Sequence, residues 1–269
     1  MSVFRIAMRR NLGSLIVWTI VMGGLLAAAM FIFPTIGAES IIANVEGHLN
    51  SAPQLMVEIL GLGSIKILST LVGYFAFAFQ FTVILSMLFA GILGARALTT
   101  EEGCGATEFL YAQPLTRSYV ARRKLAAAIL TYFLYSLFIA VIAMIMAYIF
   151  RTDSLKEIFI DMAPALGGLF FGGLIYICLG FFFSSFLRSN GESIPIIVAI
   201  VLITYIIGLM GRIVSRVSFL VFASPIFYAD PIILVQSGIN WLQWGIGLAL
   251  IIITAVLGMS IYKKKDFLI

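Results

Sequence analysis

Residues 67–95 read ILSTLVGYFAFAFQFTVILSMLFAGILGA, and none of these 29 residues carries a charge. A helix that crosses about 30 Å of hydrocarbon needs roughly 20 apolar residues, at about 1.5 Å per residue. This stretch exceeds that length, and its polar and apolar residues do not alternate as they do in a strand. It therefore predicts a membrane-spanning helix.

The same pattern occurs six times. The predicted spans are residues 14–33, 67–95, 125–150, 164–187, 194–211 and 241–262, and none of them contains Asp, Glu, Lys, Arg or His. Backbone groups inside a bilayer must be satisfied within a helix or a closed barrel. We therefore expect an all-α integral membrane protein with six transmembrane helices, forming one domain over residues 1–269.

Composition supports the same class. Hydrophobic residues make up 62% of the chain and charged residues 11%, and the mean hydropathy is +1.13. Because an average soluble domain has about 25% charged residues, a soluble fold is excluded. Arg5, Arg9 and Arg10 precede the first run, but that run is longer than a signal-peptide core and no small-x-small cleavage site follows it. We expect it to be retained as a helix.

The distribution of Lys and Arg predicts the orientation, because cytoplasmic loops of membrane proteins are enriched in both residues. With both termini in the cytoplasm, 12 of the 17 Lys and Arg residues lie inside. The five outside are Lys66, Arg151, Lys156, Arg212 and Arg216. We therefore expect both termini to be cytoplasmic, and we attribute the net charge of +5 to topology rather than to nucleic-acid binding.

The segments predicted to lie outside suggest further short helices. Residues 34–66 mix apolar and acidic residues, a pattern that suits amphipathic helices at the outer interface. Their His48 is the one histidine of the chain and has no second ligand nearby for a metal. Residues 212–240 are too polar for a seventh span, and Pro225 and Pro231 divide them into short extracellular helices.

On the cytoplasmic side, the first 13 residues mix Arg with apolar residues. They predict either a short interfacial helix that meets anionic headgroups or a disordered basic tail. Residues 188–193 predict a tight hairpin, with Asn190-Gly191 in the left-handed conformation that ends a helix and Pro195 in the first turn of the next. Cys104 falls in a cytoplasmic loop and Cys178 in the fourth span, so both are expected to be free thiols.

The longer cytoplasmic loop, residues 100–117, holds the clearest functional signal. Residues 106–112 predict about two helical turns with Phe109, Leu110 and Tyr111 on a surface that no bilayer covers, and the residue before Pro114 is pushed out of helical geometry. A short apolar helix between two spans is a docking element for a soluble partner. A loop helix that lies on the headgroups is the alternative.

Three motifs carry a family pattern. They are Glu101-Glu102-Gly103 with Thr107-Glu108, Pro114-Leu115 and Thr116-Arg117; SPIFYADP at residues 224–231; and YKKKDF at residues 262–267. In this order they resemble bacterial ABC exporter permeases of the type 2 class, which share the ABCG-like, type V exporter fold. The chain departs from that pattern at Ala106, which stands between the glycine and the threonine that usually follows it directly.

The resemblance implies a permease subunit that pairs with a second permease, identical or different, and with two copies of an ATPase subunit. It also implies that the first cytoplasmic loop is a coupling helix seated on the ATPase, and that the second loop makes a lesser contact. The implied coupling residues are Glu101, Glu102, Gly103, Thr107, Glu108, Phe109, Leu110, Pro114, Arg117 and Arg188. The chain has no Gly-x-x-x-x-Gly-Lys-(Ser/Thr) phosphate loop. We therefore expect no cofactor and no enzymatic activity on it, with ATP and Mg²⁺ bound by the partner ATPase in a bacterial cytoplasmic membrane.

Aromatic and polar residues in the second and fifth spans predict a substrate path. The residues are Tyr74, Phe77, Gln80 and Phe81 in the second span, and Thr204 and Tyr205 in the fifth. They follow helical spacing, and packing between helices is the alternative role for each. The pairs Gly23-Gly24, Gly167-Gly168 and Gly172-Gly173 predict close helix packing. An apolar path suits a hydrophobic or amphipathic cargo, such as a drug, an antimicrobial or toxic peptide, or a lipid-like molecule.

Two other function classes fit less well. An ion-coupled secondary transporter needs ionisable residues near the membrane centre, and the six predicted spans contain none. A membrane-embedded enzyme of the Glu-Glu-x-x-x-Arg protease type would need arginine where this chain has Ala106.

Overall fold

The computed structural model describes residues 3–36, 68, 70–103, 116–151, 154–187 and 189–265. Within these residues the chain is helical and contains no strand. In chain order the α-helices are α1 (Val3–Ile36), α2 (Leu71–Gly103), α3 (Arg117–Ile149), α4 (Leu155–Ser184), α5 (Asn190–Ile213), α6 (Pro231–Ser237) and α7 (Trp241–Lys264). Two 3-10 helices, Ser215–Ala223 and Pro225–Ala229, lie between α5 and α6. All of these except α6 and the two 3-10 helices are long and apolar enough to cross a membrane, which confirms the predicted six-span, all-α fold.

Contacts between helix ends show that the spans run alternately in opposite directions. Near the start of α1, Asn11 Nδ2 donates to Thr131 Oγ1 on α3 at 3.4 Å. Arg117, the first residue of α3, donates to the Lys265 carbonyl just after α7, and Lys265 Nζ donates to the Leu187 carbonyl just after α4 at 2.7 Å. One end of the bundle therefore carries the start of α1 and the end of α7. We call it the terminal end, and the opposite end the far end.

Helix α1 begins at Val3, before the span predicted from residue 14, and it is continuous. The basic segment is thus part of the span's own helix and not a separate interfacial helix. A single interior glycine, Gly13, costs only about 1 kcal/mol, too little to break a helix of strong helix formers. At about 1.5 Å per residue, a helix of 34 residues is about 51 Å long, so part of it extends beyond the hydrocarbon.

Other helices also extend beyond the apolar runs that were predicted as spans. Helix α2 continues past residue 95 to Gly103, and α3 begins at Arg117 rather than at residue 125. Helix α4 begins at Leu155 rather than at Pro164, capped by Ser154, whose Oγ accepts from the Glu157 amide at 3.4 Å. Membrane helices tolerate such an internal proline because neighbouring groups satisfy the freed carbonyl.

The predicted hairpin between α4 and α5 is tighter than expected. Helix α5 begins at Asn190, so Gly191 is helical and Pro195 lies in the second turn. Among the described residues only Gly238 has a positive φ, and the left-handed stop predicted at Asn190-Gly191 is wrong. Asn190 instead turns its side chain toward α2.

Helices α2 and α4 form the centre of the bundle, where their backbones touch. A Cβ on Gly94 would lie 2.1 Å from the Ile177 carbonyl oxygen, and a Cβ on Gly180 would lie 2.4 Å from the Gly91 carbonyl oxygen. Of the predicted glycine pairs, both members of Gly172-Gly173 pack closely, whereas Gly23 and Gly168 do so without their neighbours. The backbones of α2 and α4 touch at Gly94 and Gly180, which are single glycines and not members of a predicted pair.

Buried tyrosines join α3 to this centre. Tyr135 Oη lies 2.6 Å from the Ser86 hydroxyl on α2, and Tyr132 Oη donates to the Leu169 carbonyl on α4 at 3.1 Å. Both rings are fully buried. Because a buried hydroxyl without a partner is costly, these two bonds fix the position of α3 against the α2–α4 pair.

Candidate substrate path and coupling site

Hydroxyl and amide side chains join the last turns of α2 to the first turn of α5 at the terminal end. Thr99 Oγ1 lies 2.7 Å from Asn190 Oδ1 and 3.1 Å from the Ser193 hydroxyl, and Thr100 Oγ1 lies 3.3 Å from Asn190 Oδ1. Thr99 and Ser193 are fully buried. We call these four residues the Thr99 cluster. These hydrogen bonds hold the end of α2, which leads into residues 104–115, against the start of α5.

The predicted coupling residues lie only partly within the described structure. Glu101–Gly103 form the end of α2, although their side chains are outside the described part. Arg117 begins α3 and bonds the carbonyl of Lys265, so it ties the C-terminal helix to the end of the loop. The remaining residues lie outside the described residues: Thr107, Glu108, Phe109, Leu110, Pro114 and Arg188.

The predicted path residues of α2 do not share one environment. Tyr74 is buried and donates to the Ala29 carbonyl of α1 at 2.8 Å, which is a packing contact. Phe77 meets the exposed Phe81 edge to face, with ring centroids 5.7 Å apart. Gln80 instead lines a cavity against α5.

The two predicted path residues of α5 also separate. Thr204 Oγ1 lies 2.6 Å from Tyr176 Oη on α4, so it joins two spans. Tyr205 lies in the same cavity as Gln80, and its ring stacks on Phe227 with centroids 6.2 Å apart. Of the six predicted path residues, the structure thus brings Gln80 and Tyr205 together.

A buried ion pair closes this cavity at the far end. Arg212 Nη2 lies 2.6 Å from Asp230 Oδ2, with side chains 19% and 7% exposed. The Arg212 guanidinium also lies over the Phe227 ring, 5.2 Å from its centroid. The other carboxylate oxygen of Asp230 accepts from the Ile232 amide at 2.9 Å and so caps α6. Free space inside is about 30 Å³, room for a water molecule or two.

The segment between α5 and α7 folds as predicted into short helices against the bundle, and we call it the far-end cap (residues 215–237). Pro225 and Pro231 each begin a helix. Ser224 Oγ donates to the Thr204 carbonyl at 2.6 Å. Burial raises the pKa of Tyr228, so at neutral pH its hydroxyl keeps its proton and donates to the Phe222 carbonyl.

The cap is in backbone contact with α5. A Cβ on Gly208 would lie 2.3 Å from the Phe227 ring, and a Cβ on Gly211 would lie 2.8 Å from the Val221 amide nitrogen. On the other side, Trp244 Nε1 of α7 donates to the Tyr228 carbonyl at 3.2 Å. The cap therefore links α5 and α7 across the far end.

Comparison with protein-family models matches residues 4–267 to the ABC-2 family transporter proteins. This chain belongs to the ABC-2 transporter family. The match covers nearly the whole chain, which confirms the resemblance inferred from its three motifs. The protein is a multi-pass membrane permease subunit of an ABC transporter. Comparison with curated proteins finds no match.

Sequence reasoning missed two features of this ABC-2 permease. The Arg212–Asp230 pair was hidden because its members lie on different elements, although Asp230 directly before Pro231 has the pattern of a helix cap. The Thr99 cluster was hidden because Asn190 was assigned to a turn. For the Thr99 cluster, the available signal was the pair of polar residues at the ends of two adjacent spans.

Proposed function

We propose that this permease is the membrane subunit of an ATP-driven exporter. The terminal end faces the cytoplasm of a bacterium, where residues 100–117 dock on an ATPase subunit present in two copies, and a second permease completes the transmembrane unit. The ATPase binds ATP and Mg²⁺. The cargo is a hydrophobic or amphipathic molecule taken from the cytoplasm or from the inner leaflet.

The observation that carries this proposal is the Thr99 cluster. It bonds the end of α2, which leads into the docking loop, to the start of α5. Helix α5 carries Tyr205 and Arg212, which line the cavity at the far end. A displacement of the loop would therefore be transmitted along a rigid helix of 24 residues, about 36 Å, from the ATPase to the far-end cap.

The small free volume of the far-end cavity fits a closed resting state. Export would require Gln80 and Tyr205 to separate, which opens an apolar route lined by α2 and α5. An ion-coupled mechanism is the alternative. It is disfavoured because the buried carboxylate Asp230 is already paired with Arg212 and bonded to a backbone amide.

The test compares the purified permease with its complex with the partner ATPase subunit. We expect no ATP hydrolysis by the permease alone, and ATP-dependent release of a fluorescent amphipathic dye from liposomes that hold the complex. Dye movement that continues with a hydrolysis-deficient ATPase and follows an imposed proton or sodium gradient would favour the ion-coupled alternative.

A further inference from the structure

A second pocket opens at the terminal end, beside Thr100 and Asn190 of the Thr99 cluster. It lies between the first half of α1 and the last turns of α2, with the start of α5 closing one wall. Its volume is about 100 Å³, several times that of the far-end cavity and large enough for a small polar group. The mechanism proposed above does not use it.

The polar part of the pocket is cationic. Arg10 and Arg96 line it together with Asn11, Ser14 and Thr100. Within the described part of the chain, no carboxylate lines the pocket. Guanidinium groups bind phosphate oxygens in bidentate geometry and are less strongly hydrated than ammonium groups, so this residue set suits a phosphate.

One more donor faces the same space. Asn190 lines the pocket and directs its amide oxygen to the hydroxyls of Thr99 and Thr100. Because an amide group has an acceptor side and a donor side, this orientation leaves the NH₂ of Asn190 as a donor. The Thr100 hydroxyl donates to the Arg96 carbonyl at 2.8 Å, so the donors that face the pocket are the guanidinium groups, the Ser14 hydroxyl and the Asn190 amide.

Polarity changes along the pocket in one direction. On α1 the lining runs from Arg10 to Trp18, and on α2 it runs from Arg96 to Phe89, both from the terminal end toward the bundle centre. These intervals of eight and seven residues correspond to about 12 and 10 Å of helix. The Trp18 and Phe89 rings stack with centroids 5.1 Å apart and form an apolar floor. A charged mouth above an apolar floor matches an amphiphile, whereas a free anion would need no floor.

We propose that this pocket binds the phosphate-bearing headgroup of one phospholipid from the leaflet at the terminal end. The phosphate bonds Arg96 and its neighbouring donors, and the glycerol and first acyl carbons lie against Trp18 and Ile92, the apolar lining residues that are partly exposed. This is a defined site, distinct from the diffuse attraction of basic residues to a membrane surface. Because Thr100 and Asn190 belong both to the pocket and to the Thr99 cluster, the bound lipid stabilises the contact between α2 and α5.

The test uses the full-length permease in detergent, with the midpoint of thermal unfolding measured against added ligand. The probes are dioleoyl phosphatidylglycerol, dioleoylglycerol with the same tails and no phosphate, and inorganic phosphate. We expect saturable stabilisation by phosphatidylglycerol alone, with the retained lipid visible by native mass spectrometry. Equal stabilisation by dioleoylglycerol would overturn the headgroup assignment. Equal stabilisation by inorganic phosphate would show a free-anion site and overturn the lipid assignment.

Variants locate the site. Arg96→Gln removes one charge and a charge-assisted hydrogen bond, and it should weaken phosphatidylglycerol binding about tenfold or more. Ser14→Leu fills the pocket from α1 and should block binding without changing charge, so it serves even where Arg96→Gln fails to fold. Arg9→Gln is the matched control, because Arg9 is exposed on α1 and does not line the pocket. Binding that survives both pocket variants, or that Arg9→Gln weakens as much as they do, would refute the proposal.

Discussion

At the scale of single residues, Gly94 and Asp230 each make a close contact between helices that another side chain would not reproduce. Gly94 lets α2 touch the backbone of α4. One carboxylate oxygen of Asp230 pairs with Arg212 on α5, and the other accepts from the Ile232 amide at the start of α6. A substitution at Gly94 or at Asp230 therefore measures what that one contact contributes to stability.

Gly94→Ala should destabilise the permease strongly. A Cβ at this position would lie 2.1 Å from the Ile177 carbonyl oxygen, and a backbone atom cannot move aside as a side-chain tip can. We expect a loss of about 3 kcal/mol in the free energy of unfolding, measured by denaturant unfolding in detergent. Gly24→Ala is the control, since its Cβ would meet nothing within 4 Å, and it should be neutral or slightly stabilising. Equal effects of the two substitutions would contradict the α2–α4 contact.

Asp230→Asn should also destabilise the permease, in this case because it removes a negative charge. Asparagine keeps an oxygen that caps α6, whereas Arg212, only 19% exposed, loses its counter-charge. Breaking a buried pair costs about 3–5 kcal/mol, and partial exposure of Arg212 places the expected loss at the lower end. The double variant Arg212→Met/Asp230→Asn should recover part of that loss in the same unfolding measurement. The exposed Arg216→Gln is the control, and an Asp230→Asn effect no larger than this control would show that the pair is not stabilising.

At the scale of helices, the length of each apolar run predicted that a span exists but not where its helix begins and ends. The run that begins at Pro164 is only the apolar part of α4, whose first turns carry Lys156, Glu157 and Asp161. Composition detects the part of a helix that lies in hydrocarbon, whereas capping and side-chain bonds decide where the helix itself stops. The amide of Asn190 bonds across to α2, a contact between residues 91 positions apart that local turn rules do not include.

The residues of the candidate substrate path were likewise predicted only in part. Gln80 and Tyr205 were found because polar and aromatic residues of the second and fifth spans follow helical spacing. Their neighbours in the cavity, Arg212 and Asp230, were not, because tertiary packing brings an element outside the spans onto α5. Tyr74 and Thr204 had the same sequence signal as Gln80, yet both bond adjacent helices.

Thr99→Val tests the link between α2 and α5. Valine keeps the shape of threonine and removes the hydroxyl that bonds Asn190 and Ser193. In the complex with the ATPase, we expect ATP hydrolysis to continue while the amount of dye transported per ATP falls several-fold. Thr254→Val on α7 is the matched control, because its hydroxyl bonds only carbonyls of its own helix. Unchanged transport per ATP in Thr99→Val would show that force does not pass through this cluster.

At the scale of the whole molecule, the six spans place both termini at one end of the bundle, and the distribution of Lys and Arg predicts that this end is cytoplasmic. Single-cysteine labelling in intact cells measures this directly, after Cys104 and Cys178 have been replaced. A cysteine introduced at the exposed Ser218 of the far-end cap, or at His48, should react with an impermeant thiol reagent. Cys104 restored alone should react only after the membrane is opened. The reverse labelling pattern would show that the permease has the opposite orientation, with the docking loop outside.

The central claim is that an ATPase docks on the loop between α2 and α3. Co-purification of the ATPase with Phe109→Asp permease tests it most directly. A charge placed in an apolar protein groove costs several kcal/mol, so the variant should insert and fold but lose the ATPase. Phe219→Asp is the matched control, since Phe219 is 65% exposed at the far end and should retain the ATPase at the wild-type ratio. Wild-type co-purification with Phe109→Asp would contradict the account.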